Sequence, residues 1–356
     1  MDRTPQVPPA IPPVVNKNHR PLWSVMVPAY NCIQYLKQTL ESILIQEPGA
    51  GIMQIEVIDD HSTDGDVASL VQEVGKGRIK YFRQSRNVGS LRNFETCINR
   101  STGEWLHLLH GDDMVKAGFY KEIAELFQSY PESGAAFTNY SYIDEDGVKC
   151  GRDVEILLTE NGVVKDFLSI IARRQKVQPP AIVVKRKVYE TLGSFFAVHY
   201  GEDWEMWIRI ASRFPVAYSP KCLALYRVSH KTSISYRSFL TGQNILDISQ
   251  VIDIVQPYIP IENRRKLKTS ALMNNALYCM RVANGLLLDN REAAFIQAKG
   301  AFNMHPSGQI IFYLIRFYLM HLLRYKQLER LVTNSLFPFA TFSKTRYSSK
   351  SKFHPS

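Results

Sequence analysis

The chain has 356 residues and a formal net charge of +10, with 45% hydrophobic and 21% charged residues. That balance suits a soluble globular protein with one large core and an appendage. The excess of base makes nucleotides, nucleic acid or an anionic membrane surface plausible partners. Five scattered cysteines (Cys32, Cys97, Cys150, Cys222, Cys279) make no C-x-x-C pair and no metal spacing, so reduced, mostly buried thiols in a cytoplasmic setting are expected. No N-terminal apolar h-region and no run of about 20 apolar residues is present, so neither export nor a spanning helix is expected.

Residues 1–20 are Pro-rich and poor in aromatic residues, the composition of a disordered or extended tail. A strand is expected at Trp23–Val27, stopped by Pro28, Ala29, Tyr30 and Asn31, then a helix over Ile33–Ile45. The same alternation repeats. Strand Ile55–Ile58 runs into Asp59, Asp60, His61 and Ser62, and helix Val67–Val74 leads to strand Ile79–Arg83. The turn Asn87–Gly89 precedes helix Ser90–Arg100. Strand Trp105–Leu109 then ends in Gly111, Asp112 and Asp113, ahead of a helix over Ala117–Phe127. Strands alternating with helices of this length predict a Rossmann-like, mostly parallel sheet whose strand ends share one crevice. Asn31, Asp59, Asp60 and Asp112 would converge there.

Each carboxylate pair can be a helix cap or an Asx-turn and nothing more. Two pairs on one sheet edge are harder to explain as caps, since adjacent carboxylates repel unless a cation or ligand offsets them. No G-x-G-x-x-G follows the first strand and no P-loop is present, which argues against dinucleotide and P-loop chemistry. Downstream, strands are expected at Ala135–Tyr142, Ala181–Val184, Val216–Tyr218 and Cys222–Tyr226, with short helices at Phe167–Ala172 and Val188–Gly193. Glu202 and Asp203 begin a further helix, where acidic residues suit the macrodipole or one of them serves as a general base. Arg227, His230 and their hydroxyl-bearing neighbours form a basic loop suited to phosphate oxygens. From Ser238 helices take over: Phe239–Val255, Glu262–Leu288, Arg291–Phe302 and Ser307–Leu323. In the last, Ile311, Leu314, Ile315, Tyr318, Leu319 and Leu322 form an apolar arc. Residues 316–356 carry eight Lys or Arg against the single acid Glu329. An amphipathic helix with a basic tail fits an anionic membrane surface.

Taken in order, these pieces resemble family 2 glycosyltransferases, inverting nucleotide-sugar-dependent enzymes of the GT-A fold. The matching residues are Val27-Pro28-Ala29-Tyr30-Asn31, Val57 to Gly65, Asn87-Val88-Gly89, Arg92-Asn93, Gly103-Glu104-Trp105, His110 to Asp113, Gly201 to Trp204 and Tyr226 to His230. The resemblance covers residues 22–235 and implies nothing about the helical third. With the composition shifts at either end, the chain is expected to divide into a tail (1–20), a GT-A catalytic domain (21–237), a helical region (238–335) and a basic tail (336–356). The resemblance places Pro28, Tyr30 and Asp59 or Asp60 around the base and ribose, Arg92 close to the nucleotide and His230 near the diphosphate or metal; Asn31, at the same strand edge, and Arg227, in the basic loop, are expected to join the nucleotide-binding residues. It implies that Asp112, with Asp113 and His230, ligates Mn²⁺ or Mg²⁺, and that Asp203 is the catalytic base. Two departures stand out: His110 occupies the first position of the family's D-x-D, and His61 replaces the usual glycine after the Asp pair. The implied activity is sugar transfer from a UDP- or dTDP-sugar to a lipid-linked or cell-surface glycan, on the inner face of the cytoplasmic membrane. The competing reading is a non-catalytic, glycosyltransferase-like adaptor. No nucleic-acid-reading motif is visible.

Overall fold

β1 (Trp23–Ala29) is buried at every position, as an apolar run must be when both faces of its sheet are covered. The structure, a computed structural model, describes residues 2–15, 20–151, 153–228 and 233–323. His230 and the basic tail lie outside the described residues. After β1 come α1 (Ile33–Leu44), β2 (Met53–Asp59), α2 (Val67–Gly75), β3 (Lys80–Arg83), α3 (Ser90–Arg100) and β4 (Trp105–Leu108). β1 pairs in parallel with β2 and β4, and β2 with β3. Alternate residues of β1 serve opposite cores: Val25 and Val27 meet Leu36, Leu40 and Ile43 of α1, while Met26 meets Leu91, Phe94 and Ile98 of α3. That period of two is why the strand shows no polar face.

The chain continues through β5 (Met114–Val115), α4 (Phe119–Ser129), β6 (Ala135–Ile143), β7 (Lys149–Cys150), β8 (Gly162–Val163) and α5 (Phe167–Ile171). Then follow β9 (Ile182–Lys185), α6 (Arg186–Leu192), α7 (Glu202–Ala211) and β10 (Val216–Arg227). The sheet order is β3-β2-β1-β4-β9-β6-β10-β5, with β7 beside β6 and β8 beside β10. β6 and β10 are parallel, but β9 runs antiparallel to both β4 and β6. The expectation that every strand ends at the same edge therefore fails at β9. The handedness rule governs parallel crossovers only, and β9 instead brings its preceding loop to the edge where the other strands end. β10 is one strand where two were expected. Its register breaks between Ser219 and Ala224, around Pro220, which has no N–H for a ladder.

The helical region comprises α8 (Ile234–Thr241), α9 (Gln243–Ile254), α10 (Ile261–Leu286), α11 (Arg291–Met304) and α12 (Gly308–Leu322). The single helix expected over 239–255 is split at Gly242, whose φ is +76° and whose Cβ, if present, would lie 2.6 Å from Ile296 Cγ2. Ile248, Val251 and Ile252 of α9 and Leu267 of α10 share a core with Trp204 and Trp207 of α7. The start of the helical region thus completes the core around α7, and among the described residues no packing boundary falls at residue 238. A separate cluster, including Ala276, Ala294 and Phe317, joins α10 to α12. Among the described residues no helix is long and apolar enough to cross a membrane.

The described part of the Pro-rich start departs from the tail expected there. Pro5 and Pro9 carbonyls accept from the amides of Ala197 and Ser194, both at 2.8 Å, and the Pro12 carbonyl accepts from Arg186 at 3.2 Å. Ile11 is 3% exposed and belongs to the α3-side core. Proline lacks a donor but keeps its carbonyl, and its fixed φ lowers the entropy lost on ordering. A strap held through carbonyls is therefore compatible with this composition. Burial of Ile11 is worth about 1.5–3 kcal/mol. We expect Ile11→Asp to release the strap, so that hydrogen exchange at the Ser194 and Ala197 amides accelerates. Unchanged protection there would show that Ile11 does not anchor it.

Candidate active site

The site edge is assembled from the ends of β1, β2, β4 and β10, the start of α7 and the loop before β9. Gly111 lets the β4 end approach β1: its amide donates to the Pro28 carbonyl at 3.1 Å, and a Cβ there would lie 2.8 Å from Cys32 Sγ. Tyr30 is 41% exposed at the rim, leaving its ring available for stacking. Asn31 adopts φ +50°, and its side chain accepts from the Thr63 amide at 2.8 Å. His61 has φ +63°, the left-handed conformation a glycine adopts without strain; its Nδ1 lies 3.1 Å from the Gln84 carbonyl.

The structure brings Asp59 and Asp60 to this edge but turns their oxygens toward the chain. Asp59 is fully buried and accepts from the Ser62 amide (2.8 Å), Tyr81 Oη (2.8 Å) and Arg83 Nη1 (2.6 Å). Asp60 accepts from the amides of Val88 (2.7 Å) and Gly89 (2.9 Å), and burial pushes its carboxyl above the usual range. Arg92 donates to the Asp2 carbonyl (2.8 Å) and pairs with Glu95 (2.7 Å). Arg227 is not the phosphate-facing cation expected. It is 3% exposed and donates to the carbonyls of Asp112 (2.7 Å), Asp144 (2.6 Å) and Glu145 (2.9 Å) and to Gln38 Oε1 (2.7 Å). Its planar fork clamps two loops to α1.

At the β4 end, His110, Asp112 and Asp113 each offer one ligand atom, and these atoms lie within 4.8 Å of one another. Asp113 Oδ1 accepts from the Arg227 amide at 2.8 Å, while its Oδ2 is buried with no hydrogen-bond partner. Burial, then the neighbouring Asp112, pushes the Asp113 carboxyl well up. Burial lowers the His110 imidazole, which keeps it neutral with a lone pair free to ligate. An orphaned carboxylate oxygen beside a second carboxylate and a neutral imidazole fits a divalent cation. His110, a departure in sequence, is itself one of the three candidate ligands.

α7 presents the second cluster. Its first turn holds Glu202, Asp203 and Glu205, with Gly201 at φ +86° before it, so the helix dipole favours the acids. Glu205 is tied to Arg209 (Oε2–Nη2 2.9 Å), and Trp204 is anchored by Nε1 to the Ile171 carbonyl at 2.7 Å. Asp203 Oδ1 accepts from the Trp204 amide at 2.7 Å and Oδ2 from Gln175 Nε2 at 2.6 Å. Burial raises the Asp203 carboxyl to about 6, and burial with the adjacent Asp203 raises Glu202 well up. His110, Glu202 and Asp203 line one enclosed cavity of about 10 Å³, room for roughly a single water. A carboxyl held near 6 beside a cation-ready cluster can take a proton while charge departs on the other side. Gln175 carried no sequence signal beyond its place in a loop before two prolines.

Residues 24–167 match the family model for glycosyl transferase family 2. That stretch, from β1 to the start of α5, is a glycosyl transferase family 2 domain. This glycosyltransferase is 27% identical over 256 residues to an uncharacterised protein of Mycobacterium tuberculosis, covering 68% of this chain and 78% of the other. It is 25% identical over 223 residues to the putative teichuronic acid biosynthesis glycosyltransferase TuaG of Bacillus subtilis, covering 59% and 81%. The chain spans only about a third to a half of the length of several other curated relatives it matches. The glycosyltransferase shares its fold with Staphylococcus aureus TarS residues 1–349, solved with UDP-GlcNAc, at TM-score 0.62 and 13% identity over 91% of this chain and 97% of that one.

Proposed function

We propose that this glycosyltransferase is metal-dependent and inverting, moving a sugar from a UDP- or dTDP-sugar to a hydroxyl of a lipid-linked or cell-surface glycan. One observation carries the reading: Asp203, held near 6, shares a cavity with His110 of the metal-ready cluster. An acceptor hydroxyl is a weak nucleophile at neutral pH, and Asp203 accepts its proton as it attacks the anomeric carbon. The attack comes from the face opposite the leaving diphosphate, so a single displacement inverts that carbon. His110, Asp112 and Asp113 would hold Mn²⁺ or Mg²⁺, and a bound cation offsets the charge of the departing diphosphate. Arg227, through the Asp112 carbonyl and the Asp113 carboxylate, fixes the loop that carries these ligands. Tyr30 offers its exposed ring to the base, with Pro28, Asn31 and Asp60 behind it. The TarS complex with UDP-GlcNAc and the TuaG assignment to teichuronic acid synthesis support donor and acceptor class by analogy.

Attachment to the inner face of the cytoplasmic membrane forms part of the same reading. Ile311, Phe312, Ile315, Leu319 and Leu322 of α12 are exposed along one stripe, while Ile310 and Phe317 pack inward. The Lys- and Arg-rich sequence that follows would meet anionic lipid. The test is release of nucleoside diphosphate from UDP-glucose, UDP-N-acetylglucosamine, dTDP-rhamnose and GDP-mannose with Mn²⁺, alongside sedimentation with phosphatidylglycerol vesicles. Turnover of a UDP or dTDP donor and vesicle binding are expected. Turnover of GDP-mannose alone would contradict the donor assignment, and no vesicle binding the membrane assignment.

A further inference from the structure

Gln175 stands in the loop before β9, and two features of its amide call for a role. Its Nε2 donates to Asp203 Oδ2 at 2.6 Å, and its Oε1 is buried with no hydrogen-bond partner. The orientation follows from chemistry, since an ionised carboxylate only accepts and must face the NH₂ end. The loop is held on both sides. The Arg173 carbonyl accepts from Asn274 Nδ2 at 3.1 Å, Arg174 and Lys176 both pair with Glu155, and Val177 is fully buried. A positioned carbonyl left unmade in a buried site costs free energy unless a ligand satisfies it.

We infer that Gln175 couples the base to the acceptor. Nε2 holds the Asp203 carboxylate in place, and Oε1 accepts from a second hydroxyl beside the one that attacks. The two ends of one amide lie a few ångströms apart, so two neighbouring ring hydroxyls reach Asp203 and Gln175 together. The acceptor is therefore a vicinal diol of a sugar, not a lone alcohol. The attacking hydroxyl gives its proton to Asp203 and its oxygen bonds to the anomeric carbon. The bond to phosphate breaks, its electron pair leaving with the nucleoside diphosphate, while the second hydroxyl keeps its proton. This inference rests on Asp203 being the base. Gln175 acts on the reaction as a positioning residue.

The test uses the full chain and its donor with water, ethanol or ethylene glycol as acceptor. Gln175→Met keeps the shape and removes the amide. We expect kcat for transfer to water to fall about 10²-fold, the scale of a misplaced catalytic group, with donor KM unchanged. The wild type should favour ethylene glycol over ethanol, and Gln175→Met should not. Gln175→Glu, which sets a second carboxylate against the first, should be impaired likewise. A dead Asp203→Asn beside a wild-type Gln175→Met overturns the Gln175 assignment; an active Asp203→Asn overturns the base assignment instead. No diol preference in the wild type overturns the acceptor class. A donor-independent arm is the NMR signal of the Gln175 side-chain amide, assigned by its loss in Gln175→Met. It should shift in Asp203→Asn, and an unmoved signal overturns the coupling whatever the donor.

Discussion

Asp203→Asn should reduce transfer by about 10²–10⁴-fold, the usual contribution of a positioned general base, while nucleotide affinity stays within about twofold of wild type. The substitution is nearly isosteric, and the Trp204 amide keeps an oxygen to donate to. The Gln175 amide can turn its Oε1 to the new NH₂, so the fold is preserved and the loss falls on chemistry. The pH dependence carries the same signature. A base works only when ionised, and burial holds this carboxyl at about 6. Rate should therefore be flat above that pH and fall tenfold per unit below it. Glu202, adjacent and also pushed up, shares in the titration, so the acid limb reports the pair and not one residue. Retained turnover in Asp203→Asn, or a limb near the ordinary carboxylate value, would contradict the base assignment.

Chelation should have the second large effect. Removal of divalent metal by EDTA is expected to cost at least about 10²-fold in rate, since a Lewis-acidic cation supplies several kcal/mol to a departing diphosphate. Mn²⁺ or Mg²⁺ should restore it. Asp112→Asn should mimic chelation with the loop still held, because the Asp112 backbone carbonyl continues to accept from Arg227. His110→Ala separates the two readings of the sequence departure. A weaker metal dependence assigns the imidazole to the cation, and an unchanged one leaves the two carboxylates to hold it alone. Turnover indifferent to EDTA would contradict metal dependence altogether.

The sheet was legible because β1 and β4 are apolar runs buried on both faces, and because α1 and α3 repeat at helical spacing. The antiparallel β9 was not, since strand direction depends on a connection that leaves no local pattern. The strap was misread because composition registers missing aromatic residues and not carbonyls free to accept. Of the acidic pairs, sequence placed all four residues on one edge, yet could not say which were already engaged. Asp59 spends its oxygens on Arg83 and Tyr81, whereas Asp113 keeps one unpaired. Arg227 failed for the same reason: a basic residue in a loop looks like a phosphate ligand until its donors are followed to four acceptors in the chain. For Gln175 sequence offers only a place in a loop ahead of two prolines, because its contact with Asp203 exists only in three dimensions.

The most direct measurement is calorimetric titration with UDP, dTDP, GDP and CDP, each with and without Mn²⁺, on the wild type and on Asp112→Asn. The account predicts that UDP or dTDP binds the wild type, that binding depends on Mn²⁺, and that Asp112→Asn abolishes the dependence. Binding of none of the four, or binding that ignores both the metal and Asp112, would contradict it.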